Sequence, residues 1–209
     1  LLLTLSDPTR VAGLTNALAI ALCVTVLSCL IGVPLAVLTT RYRLPFRRTL
    51  SALSLVPLVL PPFVGAIGMQ MILGRSGTLN TLLGTKWDIL GSAKFLGVVI
   101  VESLHLYPII FLNASAALAN IDPAMEEACE NLGAGWWHRF RTITLPLMRP
   151  GLFAGCTIVL VWSFTELGTP LVFEFQQVTP VQIFNGLKQV ENSAEPYVLT
   201  FVLLTVAVA

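Results

Sequence analysis

Three ionisable side chains lie inside long apolar stretches of this sequence, where they could do polar chemistry. Glu102 and His105 are three residues apart, so a helix would place them on one face, and Glu166 lies in a later apolar run. Such groups at membrane depth usually face protein or water. Three interpretations stay open: the groups line a route for a polar solute, they form a structural cluster, or Glu166 is solvated near a membrane interface.

The sequence contains no constellation typical of an enzyme or a metal site. It has only two histidines, His105 and His138, and no phosphate-binding loop of the GxxxxGK[ST] type. Its four cysteines show neither metal-ligand spacing nor a disulfide framework, and we interpret them as small packing residues. We therefore predict no catalytic residue, no metal site and no cofactor in this chain.

The composition predicts a protein embedded in a bilayer. Of the 209 residues, 56% are hydrophobic and 11% are charged, against about 25% charged in soluble domains. Four apolar runs exceed the roughly 20 residues that cross a bilayer as a helix. They cover residues 11–40, 49–74, 95–121 and 151–173. A fifth begins near Tyr197, and the sequence stops within it. We predict an all-α polytopic transmembrane bundle of about five spanning helices, with one membrane domain at residues 1–209, and we expect a fragment of a longer protein.

The distribution of positive charge predicts the orientation in the membrane. Arg41, Arg43, Arg47 and Arg48 crowd the loop between the first two runs, which the positive-inside rule places in the cytoplasm. Counting spans from that loop puts the amino-terminal end and residues 74–94 and 174–196 outside, and residues 122–150 inside. The net charge of +1, with no basic stripe, argues against a nucleic-acid partner.

Three prolines, Pro57, Pro61 and Pro62, interrupt the second apolar run. Each proline removes a backbone donor and crowds the carbonyl four residues earlier, so this helix must kink or unwind. A membrane tolerates that only where protein or water meets the freed backbone groups. The helix should therefore face the interior of the bundle, either as a hinge or pathway-lining segment or as a static packing kink.

A charged, amphiphilic segment at residues 122–150 separates the third and fourth runs. Asp122 can cap a helix that starts at Pro123, and Gly133 can take the positive φ that ends it. Residues 136–143 then predict a second short helix, set at an angle to the first. The alternative is an interfacial amphipathic hairpin, with tryptophan at the headgroup level and arginine facing phosphates.

The spacing inside this segment resembles the EAA loop of binding-protein-dependent ABC importer permeases. The family pattern is Glu-Ala-Ala, three residues, Gly, nine residues, and then Ile-x-Leu-Pro. The matching positions are Glu127, Ala128, Cys129, Gly133, Ile143, Leu145 and Pro146. Cys129 stands where the family usually has its second alanine, and its small side chain should preserve tight packing.

The resemblance implies a type I importer in the cell inner membrane. Its partners would be a second permease half or subunit, cytoplasmic ATP-binding subunits that dock on the loop and hydrolyse ATP, and an extracytoplasmic solute-binding protein. In this family, Glu127 and Gly133 match the positions expected to anchor the loop in the ATPase. The residues assigned to ATPase coupling are Glu126, Glu127, Ala128, Cys129, Leu132, Gly133, Ile143, Leu145 and Pro146. Those assigned to the translocation pathway are Pro57, Pro61, Pro62, Glu102, His105 and Glu166.

The solute is less closely defined than the family. Residues 164–200 look like the corresponding region of iron(III) permeases, in which two such halves are fused in one polypeptide. Permeases for thiamine, phosphonate, sulfate and polyamines share much of this pattern, so these solutes remain alternatives. Two rival classes are a membrane scaffold or enzyme, and a secondary transporter in which the ionisable groups relay protons. Neither class needs a loop of the EAA kind.

Overall fold

A computed structural model describes residues 7–42, 45–75, 77–84, 93–188 and 195–208, and the regular secondary structure in these ranges is helical. Arg43 and residues 85–92, part of one expected outer loop, lie outside the described residues. The helices are α1 (Pro8–Arg41), α2 (Arg47–Val59), α3 (Pro62–Leu73), α4 (Thr78–Leu83), α5 (Lys94–Ala119), α6 (Pro123–Asn131), α7 (Trp136–Arg139), a π-helical turn (Phe140–Thr144), α8 (Leu145–Thr165), α9 (Gly168–Val172), α10 (Thr179–Lys188) and α11 (Glu195–Val208).

Among the described residues, three helical stretches are long and apolar enough to cross a membrane. They are Pro8–Arg41, Lys94–Ala119 and Trp136–Val172, and α2 with α3 gives a fourth if that bent pair counts as one span. The expected fifth span is present only as α11, whose 14 residues are fewer than a crossing needs. The all-α transmembrane bundle predicted from the sequence is confirmed.

Helix α5 forms the centre of the bundle, with α1 and α8 packed against it. Glycines allow close approach at both contacts: a Cβ built at Gly32 of α1 would lie 3.0 Å from the Ile110 Cβ, and one at Gly151 of α8 would lie 2.8 Å from the Ala117 Cβ. Helices in membranes gain van der Waals contact when small residues let their backbones approach. The three helices therefore form one tightly packed unit.

The two ends of the bundle gather different parts of the chain. At one end, the Asn16 side chain donates to the Gln177 carbonyl at 2.9 Å, and Lys94 lies 3.6 Å from the Glu174 carboxylate. At the other end, the last residue of α1, Arg41, lies 2.9 Å from Glu126. The segments predicted to be outside thus meet at one end, and the segments predicted to be cytoplasmic meet at the opposite end.

The second apolar run is broken, as its prolines predict. Helix α2 ends at Val59, Leu60 and Pro61 are extended, and α3 starts at Pro62. The axis of Arg47–Val59 is bent by 103° from that of Pro62–Leu83. Pro57 remains inside α2, so the break lies at the Pro61–Pro62 pair, where two consecutive residues lack an N–H group.

A second helix starts at Trp136, as expected from the sequence. The expected end at Ile143 is wrong, because the helix continues beyond it. Helix α7 continues through the π-helical turn into α8, giving uninterrupted helical backbone from Trp136 to Thr165. The Leu145 N–H bonds to the Phe140 carbonyl, five residues earlier. This wider turn comes directly before Pro146, and it lets the helix continue past a residue that lacks a donor.

Candidate functional site

The short helix α6 is defined at both ends by local sequence. Asp122 accepts a hydrogen bond from the Ala124 N–H at 2.9 Å, and Pro123 occupies the first helical position. At the other end, Gly133 has a φ of 82°. The Gly133 N–H bonds to the Glu130 carbonyl at 2.9 Å and the Ala134 N–H to the Cys129 carbonyl at 3.2 Å, the bond pattern of a Schellman motif. The predicted start and stop are confirmed.

Glu126 attaches α6 to two membrane-spanning elements. Its Oε1 atom lies 2.9 Å from Arg41 Nη2, at the end of α1, and accepts a hydrogen bond from the Thr144 hydroxyl at 3.2 Å, at the start of α8. The Arg41 and Glu126 side chains are only 22% and 15% exposed. Since Arg41 Nε finds no acceptor among the described residues, the charge of Glu126 is the main compensation for this partly desolvated guanidinium.

The outer face of α6 is open and partly apolar. Leu132 is 88% exposed and Met125 is 47% exposed, and the exposed Ala128 lies on the same side of the helix. Cys129, also on this side, is half-buried, and Glu127 is exposed on another side of α6. A large apolar side chain at such exposure is typical of a surface that another protein covers.

A second, more exposed contact joins α6 to the start of the long helix. Arg139 donates a hydrogen bond to the Glu130 carboxylate at 2.9 Å, although Glu130 is 70% exposed. On the same helix, Trp136 and Trp137 stack against Phe140, with ring centroids 5.6 and 5.9 Å apart respectively. Between α6, this aromatic stack and the end of α1 lies an open groove of about 490 Å³, and Glu127 is part of its lining.

The last three motif residues lie in the long helix rather than on the exposed face. Ile143 belongs to the π-helical turn, and Leu145 and Pro146 begin α8; all three are half-buried. The structure therefore divides the motif into an exposed part on α6 and a part that shapes the helical turn beneath it. The two parts meet where Glu126 contacts Thr144.

Glu102 and Ser163 form a buried polar contact between α5 and α8. The Ser163 hydroxyl donates to Oε2 of Glu102, and the two side chains are almost wholly enclosed. The second oxygen, Oε1, has no partner among the described residues. Glu102 thus lies inside the bundle, as an ionisable residue in a span should, but its carboxylate is not on an open surface.

His105 lies one turn further along α5, against the broken second run. Its ring packs edge-to-face on Trp162 of α8, with centroids 6.5 Å apart. His105 is half-buried, so it lies within the bundle rather than on an open surface.

Glu166 marks a second break, at the end of α8. Its backbone is extended, with φ of −67° and ψ of 131°, and its Oε1 accepts a hydrogen bond from the Gly168 N–H at 2.9 Å, which caps α9. A Cβ at Gly168 would lie 3.6 Å from the Phe63 Cβ in α3. The two discontinuous spans therefore meet, and the three predicted ionisable residues lie around their meeting point.

Several of these contacts were not predicted from the sequence. The sequence identifies Arg41 only as part of a basic loop, and it does not identify Thr144 or Ser163 as functional residues. Thr144 occupies the variable position between Ile143 and Leu145, and this place in the motif is a signal that could have drawn attention to it. Within the described ranges, no three His, Cys, Asp or Glu side chains come together to hold a metal ion.

Comparison with known proteins gives a family match and several relatives. The sequence model of the family described as "Binding-protein-dependent transport system inner membrane component" matches residues 28–209. The chain is 34% identical over 164 residues to the ferric transport system permease protein FbpB of Actinobacillus pleuropneumoniae, which covers 76% of this chain and 24% of that protein. It is 31% identical over 162 residues to the molybdenum transport system permease protein ModB of Escherichia coli strain K12, with 76% and 71% covered. The chain spans about a quarter of the length of the ferric relatives that it matches.

Solved structures with the same fold include those of two transporters. The fold matches the MetNI methionine ABC transporter in an inward-facing conformation with a TM-score of 0.73 and 20% identity, over 97% of this chain and 93% of that chain. It matches a bacterial alginate ABC transporter in complex with an alginate pentasaccharide-bound periplasmic protein with a TM-score of 0.75 and 19% identity, over 99% and 78%. At these identities the likeness shows the fold alone.

Proposed function

Since the chain belongs to the family of binding-protein-dependent transport-system inner membrane components, we propose that it is a permease subunit, or half of one, in an ATP-driven importer. The solute crosses the membrane through a pathway formed with a second permease half or subunit. An extracytoplasmic protein delivers the solute, and separate cytoplasmic subunits hydrolyse ATP. This chain contacts the ATP-binding subunits and changes conformation with them, and ATP is hydrolysed on those separate subunits.

One observation carries this proposal: α6 has an exposed apolar face on one side and the Glu126 attachment on the other. The face formed by Met125, Ala128, Cys129 and Leu132 contacts the ATP-binding subunit, and Glu127, exposed on another side of α6, adds a carboxylate to this contact. Glu126 then passes the motion of α6 to α1 through Arg41 and to α8 through Thr144. Gly133 fixes the angle at which α6 leaves the long helix, while Ile143, Leu145 and Pro146 shape the turn that receives the force.

The meeting point of the two broken spans is the proposed pathway site. One break is created by Pro57, Pro61 and Pro62, and the other contains Glu166. At these breaks, backbone groups without a helical partner and the Glu166 carboxylate are available to contact a solute. Glu166 is half-buried and is the residue best placed to contact a solute. Glu102 and His105 hold α5 against α8, through Ser163 and the Trp162 ring respectively.

We propose iron(III) as the solute, carried to the pore by the binding protein. The identity to a ferric permease supports this, and so does the half-buried carboxylate of Glu166, because it favours a cation over an oxyanion. Molybdate is the second candidate: the molybdenum permease is 31% identical and is matched over 71% of its length. Uptake of radioactive iron and of radioactive molybdate by the reconstituted transporter, each with its own binding protein, distinguishes the two solutes.

Docking of the ATP-binding subunit is tested by co-purification with the full-length protein. Glu127→Arg reverses an exposed charge on α6, and Gly133→Pro prevents the positive φ that ends α6; each should abolish recovery of the ATPase subunit. Glu174→Arg is the matched control, because that side chain is 81% exposed at the opposite end of the bundle. Equal recovery of the ATPase with all three variants would show that α6 is not the docking site.

A further inference from the structure

Two of the four cysteines lie close together on different helices. The sulfur atoms of Cys29, on α1, and Cys156, on α8, are 3.3 Å apart. All four cysteines are free thiols, and Cys23, on the exposed side of α1, and Cys129, in α6, have no thiol partner. Among the four cysteines, which all lie in the described residues, Cys29 and Cys156 are the two that contact each other from different membrane-spanning helices.

The surrounding packing holds the two thiols at the same depth. Helices α1 and α8 pack directly against one another. Cys29 precedes Arg41 by 12 residues, and Cys156 follows Thr144 by 12 residues, so each lies about 18 Å along its helix from the Glu126 contacts. Both are half-buried and contact the main apolar core. Their proximity is therefore a consequence of the antiparallel alignment of the two helices.

The geometry points to a redox site, in which Cys29 and Cys156 form an intramolecular disulfide that links α1 to α8. The sulfur atoms must approach from 3.3 Å to about 2.05 Å, a change that thiol rotation and a small helix displacement supply. The oxidant is dioxygen, which dissolves in the bilayer. Two S–H bonds break and one S–S bond forms, and the two electrons and two protons pass to dioxygen to give hydrogen peroxide.

Closing this bond would join the two helices that hold the α6 attachment. Arg41 ends α1 and Thr144 begins the helical stretch of α8, and both contact Glu126. In the reduced protein these two anchors are linked by helix packing and by their shared contact with Glu126, without a covalent bond. In the oxidised protein they would belong to one covalently closed unit, in which the bonded cysteines are 127 positions apart in the sequence.

The test uses the full-length protein in membrane vesicles, oxidised in air with copper(II)–phenanthroline as the catalyst. Thiols of the unfolded protein are then counted with a maleimide, and linked peptides are identified by mass spectrometry. We expect the number of reactive thiols contributed by this part of the chain to fall by two and a linked peptide pair to contain Cys29 and Cys156. The thermal unfolding midpoint should rise by about 5 °C and return on reduction.

Two sets of variants make the result specific. The double variant Cys23→Ser with Cys129→Ser should still form the bond, whereas Cys29→Ser and Cys156→Ser should each abolish it. Because the peptide mapping is done on the unsubstituted protein, poor folding of a variant does not remove the test. If oxidation leaves both thiols free, or links Cys23 or Cys129 instead, the assignment of the pair is overturned.

Discussion

Arg41 and Glu126 are 85 positions apart in the sequence, yet Nη2 of the one lies 2.9 Å from Oε1 of the other. This contact joins the end of the first span to the helix with the most exposed apolar face at that end of the bundle. Its two side chains are shielded from water, whereas the neighbouring Glu130 to Arg139 pair, also at 2.9 Å, has a glutamate that is 70% exposed. The two pairs therefore provide a matched comparison.

Removal of Glu126 should destabilise the protein more than removal of Glu130. Glu126→Ala leaves Arg41 shielded without its counter-charge, and we expect a loss of about 1–3 kcal/mol. Glu130→Ala breaks a solvated pair, and we expect at most about 0.5 kcal/mol. Thermal unfolding in detergent measures both, and part of the loss should return in the exchanged pair Arg41→Glu with Glu126→Arg. Equal effects of the two alanine variants would contradict the attachment through Glu126.

The positive φ of Gly133 predicts a purely conformational effect of substitution there. A Cβ at this position would find no atom within 4 Å, so Gly133→Ala should destabilise only through its backbone, by about 1 kcal/mol. Gly135 has a φ of −66° and equally open surroundings, so Gly135→Ala should have almost no effect. Unfolding midpoints and recovery of the ATPase subunit are the measurements; a larger effect at Gly135 would be inconsistent with this account.

Close packing between α5 and α8 predicts a steric effect at Gly151. Gly151→Ala would place a Cβ 2.8 Å from the Ala117 Cβ and 3.0 Å from the Asn113 carbonyl oxygen. Gly65→Ala is also a glycine-to-alanine change within a helix, but nothing lies within 4 Å of the new Cβ. We expect Gly151→Ala to be the less stable of the two by about 1–3 kcal/mol, measured by thermal unfolding. Similar midpoints would indicate that the two helices move apart without penalty.

The proposed roles of the two carboxylates differ, and so do the expected results. Glu166→Gln should lower the transport rate about tenfold, equivalent to about 1.4 kcal/mol, with an unchanged unfolding midpoint. Glu102→Ala should chiefly lower the stability, because it removes the acceptor of the enclosed Ser163 hydroxyl. Transport by the reconstituted complex and unfolding in detergent are measured in parallel. Normal transport with reduced stability for Glu166→Gln would exclude it from the pathway.

The features predictable from the sequence are those set by a few neighbouring residues. Asp122 and Pro123 start α6, and Gly133 ends it, because caps and positive φ values are local properties. The break at Pro61 and Pro62 follows from the missing N–H groups in the same way. The apolar runs likewise predict the spans, since a bilayer crossing depends mainly on length and composition.

The features that could not be predicted depend on contacts between distant parts of the chain. The continuous helix through Thr144 depends on a π-helical turn, and no residue type specifies such a turn. The sequence therefore predicts an end of the helix before Pro146, where the structure has none. Arg41 could not be identified from the sequence as the partner of Glu126, because four arginines lie in the same basic loop. Glu166 was expected within a span, but its side chain caps Gly168 across a break in the helix.

The unbroken helix from Trp136 to Thr165 also sets a scale for the movement of the molecule. Thirty residues at about 1.5 Å each make a rod of about 45 Å. If this rod pivots by about 10° near its aromatic end, its far tip, beside Glu166, sweeps an arc of about 8 Å. A modest angular change at the aromatic end is therefore amplified by length alone into a displacement of several ångströms beside Glu166.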